Sequence, residues 1–289
     1  MSLEKLSFQH QQLLQKRLKK SGTFLSEYSF PNLYLFRGFH DYYVLKDQDD
    51  IFISGKTEDG QRFLMPTTAI KPMDLPKLTA LSRAYDFIFP VPEEWLSAFP
   101  AEQVQVRYHD KESDYIYSVV KLSTYKGQKL HNKKNLLNQF LAHYAHTAQP
   151  LTKERMKDAL EILEAWAAEV GADKEETDYN PCREACLLYD ELILCGGIYY
   201  VDQEPAGFVI GEELNEQMFV LHFAKGKRKF KGLYQFMFNH FANILPNKYQ
   251  YLNFEQDMGK QALKLAKSSY DPDRLLRKYR VHFGNGSRD

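Results

Sequence analysis

Apolar positions along the chain change their period several times, and each change predicts an element. From Gln9 to Lys20 they recur at helical spacing and stop at Ser21-Gly22. Pro31 to Phe36 reads as a second, aromatic helical segment with proline near its start. Three short β-rich runs follow, Tyr42–Leu45, Asp50–Ser54 and Gln61–Pro66, separated by the turn residues Asp47-Gln48-Asp49 and Glu58-Asp59-Gly60. Leu75–Tyr85 then reads as a helix, Phe87–Phe89 as a strand and Pro92–Leu96 as a proline-opened helix. Val104–Tyr108 and Asp114–Leu122 read as two further strands. Gln128–Tyr144 places Leu130, Leu137, Phe140, Leu141 and Tyr144 on one helical stripe.

The pattern breaks at Ala148-Gln149-Pro150, which is read as a boundary between domains 1–148 and 149–289. Pro150 and Thr152 start a helix whose period, through Met156, Leu160, Leu163 and Val170, runs to a stop at Gly171. An acidic connector, Asp173–Asp178, leads to a hairpin of Leu192–Tyr200 and Ala206–Ile210 that turns at Asp202–Pro205. Strand Met218–Phe223, helix Leu233–Leu245, strand Tyr249–Phe254 and helix Gly259–Ser268 complete the second half. Each half thus pairs an antiparallel meander with later strand–helix alternation. The expected class is α/β (α+β), with two similar mixed-sheet units in tandem.

Length agrees: 289 residues suit two domains of about 100–200 residues each. Lys and Arg number 38, as do Asp and Glu, so no global charge draws the chain to nucleic acid, although local basic patches stay open. No apolar run reaches the ~18 residues of a membrane span, and the first twenty residues are too polar for a secretory signal, so a cytoplasmic protein is expected. Cys182, Cys186 and Cys195 form neither an even disulfide set nor a paired zinc motif and are read as buried free thiols. The 19 Tyr and 20 Phe are read mainly as core.

The most informative segment runs from His222 through Lys225-Gly226-Lys227-Arg228-Lys229-Phe230-Lys231-Gly232 into the helix at Leu233. A strand, a basic glycine-containing loop and a helix start together suit a phosphate, because the first helical N–H groups are free and carry partial positive charge. Lys225, Lys227, Arg228, Lys229 and Gly232 are therefore candidate donor-binding residues; the alternative is a solvated loop. Gly-Lys-[Ser/Thr] is absent, which argues against a kinase or ATPase.

Moving an acyl group to an amine or hydroxyl requires a base, since an ammonium with a pKa of ~10.4 is mostly protonated at neutral pH. Glu255 and Asp257, two apart at a strand end, are candidates for that base or for holding the amine; alternatively they cap the next helix. His222 either shuttles a proton or is a hydrogen-bonded strand histidine. Lys267 and Tyr270 either meet phosphate and donate a proton, or are a surface lysine and a packed tyrosine. His131, Lys134, Asn135 and Asn138 make a polar helical stripe that either touches a phosphate or ribose or is simply the wet face. No two histidines stand at i, i+4 beside a carboxylate, so no metal is expected, and Gly-x-Ser-x-Gly is absent.

Lys229–Tyr234 is similar to the pyrophosphate loop of GNAT-type acyltransferases, with Tyr234 in place of a small residue. Asn253–Gly259 with Lys264–Pro272, Ser26–Tyr34, Asp114–Tyr117 and Gly127–Asn135 together resemble one family. It contains the cytosolic catalytic domain of phosphatidylglycerol lysyltransferase and free-standing relatives. The resemblance implies a tandem GNAT fold related to the Fem-type aminoacyltransferases. It favours aminoacyl-tRNA, with tRNA as a partner, over acyl-coenzyme A as the donor, both donors staying open, and implies an amine or hydroxyl acceptor. Attack is expected to be direct, because no activated serine or cysteine is evident. Two positions depart from the family pattern: Phe254 replaces an arginine, and Ala262-Leu263-Lys264 replaces Gly-Leu-Arg. The arginine's loss leaves a non-catalytic binding module as a second reading, with a peripheral lipid-aminoacylating enzyme as a third.

Overall fold

The computed structural model describes residues 1–284. In chain order the elements are β1 (Ser2–Lys5), α1 (Gln11–Lys19), α2 (Phe30–Leu35), α3 (Arg37–His40), β2 (Tyr43–Asp47), β3 (Asp50–Lys56), β4 (Arg62–Pro66), α4 (Leu75–Ser82), β5 (Phe87–Val91), β6 (Val104–Tyr108) and β7 (Asp114–Ser118). There follow α5 (Val119–Thr124), α6 (His131–His143), β8 (His146–Pro150), α7 (Met156–Val170), α8 (Tyr179–Leu187), β9 (Cys195–Val201) and β10 (Glu204–Glu213). The chain ends with β11 (Met218–Gly226), α9 (Leu233–Ile244), β12 (Tyr251–Asn253), α10 (Gln261–Ser268), β13 (Arg274–Leu276) and β14 (Tyr279–Phe283).

Two seven-stranded mixed sheets result, ordered β1-β2-β3-β4-β5-β14-β6 and β13-β7-β12-β11-β10-β9-β8. Each contains a meander (β2-β3-β4 and β9-β10-β11) followed by one parallel pair, β4–β5 and β11–β12. A parallel pair needs a crossover, and a helix supplies it both times, α4 in one sheet and α9 in the other. This shared plan is the tandem arrangement expected from the sequence.

The two compact units do not divide at residue 148. One comprises 1–114, 256–259 and, among the described residues, 275–284; the other comprises 115–255 and 260–274. Hydrogen bonding decides this. β7 pairs with β12, and the Ala148-Gln149-Pro150 stretch read as a domain boundary lies in an edge strand, β8, paired with β9. The expected strand Asp114–Leu122 is also cut short: Ser118 accepts from the Lys121 N–H and starts α5. Cys182 and Cys186 are buried as expected, but Cys195, at the start of β9, is exposed.

The first unit buries a charge cluster. Lys278, fully enclosed, lies 2.6 Å from Glu27, 2.6 Å from Asp114 and 2.8 Å from Gln256. Its charge is needed there, because carboxylates out of water must be paired. The nearby Ser29 caps α2 by accepting from the Asn32 N–H.

In the second unit helices cover both faces of the sheet. Lys225 of β11 faces the α7 side, 3.5 Å from the Trp166 ring centroid, whereas a Cβ on its neighbour Gly226 would lie 3.0 Å from Leu233 of α9. α5 and α6 pack against α9, and α8 packs against α7. α7 buries Ala159, Ile162, Leu163 and Ala167. Ile162 and Leu163 contribute about 1.5–3 kcal/mol each by leaving water. Gly171, at φ +67°, ends the helix in the left-handed conformation that glycine adopts without strain.

Candidate active site

The strands β11 and β12 stay together for only three residue pairs, Met218–Tyr251, Phe219–Leu252 and Val220–Asn253. Beyond Asn253 the chain continues along β7, with which β12 already pairs: Phe254 N–H donates to the Tyr115 carbonyl and Tyr115 N–H to the Glu255 carbonyl. The parallel pair therefore opens, and the side chains of His222 and Glu255 meet across the opening.

A β-bulge aims the histidine. Ile210 pairs with Phe223 but Gly211 with Leu221, so β11 carries one extra residue, His222. Such a bulge breaks side-chain alternation and redirects the inserted residue. The His222 ring is fully enclosed, with Nδ1 2.7 Å from Glu255 Oε1 and Nε2 3.1 Å from Glu212 Oε1. Burial by itself lowers an imidazole pKa, but Glu255 and Glu212 outweigh it and push His222 up to about 10. At neutral pH both ring nitrogens hence carry protons and donate to the two carboxylates. Of the three side chains Glu255 is the most accessible, at 14 % against 6 % for Glu212 and 0 % for His222.

Glu255 has φ +58°, unusual for a residue with a side chain. Its N–H donates to Asn253 Oδ1 at 2.6 Å, and its carbonyl accepts from Lys267 Nζ at 3.2 Å, which also donates to the Phe254 carbonyl at 2.6 Å. Strained backbone persists only where its surroundings fix it from several sides, and here a buried asparagine and a lysine from α10 do so.

The basic loop is largely neutralised from within the unit. Lys225 pairs with Asp178 at 2.6 Å, Lys227 with Glu204 at 2.7 Å and Glu161 at 3.0 Å, and Lys229 with Glu204 at 2.6 Å. Burial would lower the Lys227 pKa, but Glu204 and Glu161 raise it above its ordinary value. Arg228 is exposed, and its backbone N–H donates to Glu169 at 2.9 Å. Gly232, at φ +88°, caps α9 where a Cβ would come within 2.4 Å of the Leu136 carbonyl of α6. Tyr234, at the place of the small residue in the GNAT-type loop, donates from its hydroxyl to the Gly226 carbonyl at 3.4 Å.

Tyr270 is buried in an aromatic cluster with Tyr117, Tyr125 and Phe238. Its hydroxyl accepts from Gln235 Nε2 at 2.8 Å, and burial pushes its pKa upward, so it stays neutral. Phe254 joins the same cluster, with ring centroids 4.7 Å from Tyr117 and 4.8 Å from Phe238. Asp257 belongs to the other compact unit, where it is buried and accepts from the Gly259 N–H at 2.7 Å. Lys134 and Asn135 are exposed on α6; Lys134 lines a cavity of about 330 Å³ with Tyr125, Lys126, Gly127, Gln128 and His131. Both His222 nitrogens face carboxylates, and among the described residues no cluster of His, Cys, Asp and Glu is arranged to hold a metal ion.

A family profile described as "Phosphatidylglycerol lysyltransferase, C-terminal" matches residues 18–282. The chain belongs to this family. Of the family member's solved relatives, a conserved protein of unknown function from Bacteroides thetaiotaomicron VPI-5482 is 25% identical, with a TM-score of 0.87 over 98% of this chain and 100% of the other. L-PGS from Bacillus licheniformis shares the fold at 14% identity, with a TM-score of 0.63 over 99% of this chain and 94% of that one. An uncharacterized protein of Mycoplasmoides gallisepticum (strain R(low / passage 15 / clone 2)) is 23% identical over 198 residues, 64% of this chain. The match spans 63% of that relative's own length. The family member thus has two seven-stranded mixed sheets, a fold it shares with FemX at 8% identity and a TM-score of 0.59, and no helix among its described residues is long and apolar enough to cross a membrane.

Sequence reasoning missed Glu212 and Asn253. Glu212 does leave a trace: it is a charged residue two past Ile210 in an apolar run, facing a histidine-bearing strand across a short turn. The bulge that brings it to His222 leaves none.

Proposed function

We propose that the second unit transfers an aminoacyl group from an activated ester donor, aminoacyl-tRNA, to an amine or hydroxyl acceptor. The observation that carries this reading is the Glu212–His222–Glu255 group, set where two parallel strands part. The family's own description, a lysyltransferase, supports an aminoacyl group as the cargo.

The chemistry follows from the charges. An acceptor ammonium has to lose a proton before it attacks the ester carbonyl. Glu255, partly exposed and fixed by its backbone contacts, takes that proton. His222 already holds its proton, so it steadies Glu255 as a hydrogen-bond donor and is not itself the base. The freed amine forms the new bond to the carbonyl carbon, the bond to the donor's ribose oxygen breaks, and the second proton that the nitrogen sheds goes to that oxygen, which leaves as the ribose hydroxyl. Because Lys225, Lys227 and Lys229 are ion-paired and the Leu233 N–H is taken by the Phe230 carbonyl, the loop's part in donor binding falls to the Tyr234 and Gln235 N–H groups in the first turn of α9.

The test is transfer from radiolabelled aminoacyl-tRNA, beside acyl-coenzyme A, to a panel of amines and hydroxyl compounds. Glu255→Gln is expected to reduce turnover by about 10²–10⁴-fold while donor binding persists. Unchanged turnover in this variant refutes the assignment. A wild-type protein that binds donor without any turnover supports the binding-module reading, which Phe254 favours by placing an apolar ring where the family has a cation.

A further inference from the structure

From Tyr115 to Lys153 the chain carries six lysines and no aspartate or glutamate, although its net charge is zero. The stretch holds α5, α6 and the turn between them, flanked by residues of β7 and by β8. Lys121 is held by Asp271 and Asp273, Lys129 by Asp271, and Lys133 lies 4.0 Å from the Tyr270 ring centroid. Lys126, His131 and Lys134 differ: among the described residues their side chains form no ion pair and no hydrogen bond. All three line the cavity of about 330 Å³ beside α6.

Local backbone builds this cavity. Tyr125 at φ +44° and Gly127 at φ +104° turn the chain between the helices. A Cβ on Gly127 would meet nothing within 4 Å, so the backbone there is open to an approaching ligand. Gln128 adds an amide at the rim. The contrast with the loop at 225–229 is direct, because there carboxylates from α7, β10 and Asp178 pair the lysines, whereas here cations converge without a counter-charge. Such a cluster concentrates positive potential and favours an anion that completes it.

We infer that this cavity grips a phosphodiester of the RNA that carries the activated ester. A volume of this size admits about one nucleotide, and the acid-free surface continues along α6, which suits a strand with successive phosphates rather than one isolated anion. The inference rests on the proposed aminoacyl-tRNA donor and adds the surface that holds it.

The experiment measures fluorescence anisotropy of labelled deacylated tRNA and of a single-stranded RNA 12-mer at several salt concentrations, with adenosine 3′,5′-bisphosphate as a competitor. Proteins compared are the wild type, the double variant Lys126→Glu with Lys134→Glu, and Lys157→Glu on exposed α7 as a control. The double variant is expected to bind RNA at least 10-fold more weakly, with the salt slope smaller by about 1–2, while Lys157→Glu binds as the wild type does. Because the replaced side chains are exposed and unbonded, its melting curve stays the same. Unchanged RNA affinity in the double variant, or an equal loss in the control, overturns the inference. So does a wild type that binds adenosine bisphosphate through these lysines but not RNA. Aminoacyl transfer is followed in parallel to separate the two claims. Transfer with unaltered RNA affinity in the double variant overturns only the site; RNA binding lost in the variant of a protein that transfers nothing overturns only the transferase reading.

Discussion

The pKa of His222 permits a direct test of the site's charge state. Free histidine titrates near 6.5, and between Glu255 and Glu212 the buried ring is pushed up to about 10. Each tenfold gain in proton affinity is 1.36 kcal/mol, so the two carboxylates favour the folded, protonated state by roughly 5 kcal/mol. The folded-state pKa is raised, so this stabilisation is complete below pH 6.5 and is lost as pH rises through 10. Between pH 7 and 9 the wild type should lose roughly 2–3 kcal/mol of unfolding free energy that His222→Gln does not lose. Urea unfolding at half-unit pH steps measures the difference between the two proteins, which cancels titrations elsewhere. The ring carbon NMR shifts of His222 in the wild type give an independent reading and do not require the variant to fold. Ring signals that titrate near pH 6.5, or parallel stability curves, would refute the reasoning and return His222 to the list of candidate bases.

Gly232→Ala introduces a methyl group 2.4 Å from a backbone carbonyl at φ +88°. The left-handed conformation alone costs about 1–2 kcal/mol, so chemical denaturation should show a loss above 2 kcal/mol; a smaller one would mean that α6 gives way easily. Lys278→Met leaves Glu27 and Asp114 buried without a counter-ion, and a loss of about 3–5 kcal/mol is expected by the same measurement, with near-neutral stability counting against the cluster's role. Glu212→Gln removes one of the two carboxylates on His222 and should bring its ring titration down toward neutrality; an unmoved titration would assign the whole effect to Glu255.

Elements governed by local rules were legible in the amino-acid order. The helix that ends at Gly171, the strand Val104–Tyr108 and the meander from β2 to β4 follow from apolar spacing and turn residues that act over a few positions. Family motifs spread along the chain carried the tandem plan further than spacing could. The failures share a cause. β8 reads as a domain boundary because polar, proline-ended His146–Pro150 resembles a loop until β9 lies beside it. β1, β13 and β14 are short, and only distant partners make them strands.

At the site, sequence singled out Glu255, His222 and the basic loop because those residue types suit acyl transfer wherever they fall. Only tertiary structure decided what each one touches. Glu212, Asn253 and Lys267 reach His222 and Glu255 through a one-residue bulge and a left-handed backbone, neither of which has a local signature. The pairing of Lys225, Lys227 and Lys229 likewise depends on carboxylates contributed by α7, β10 and Asp178. Charge is a property of single residues and can be counted along the chain. Whether that charge is neutralised or free is settled by neighbours that folding brings within a few ångströms, and there the two lysine clusters of this protein part ways.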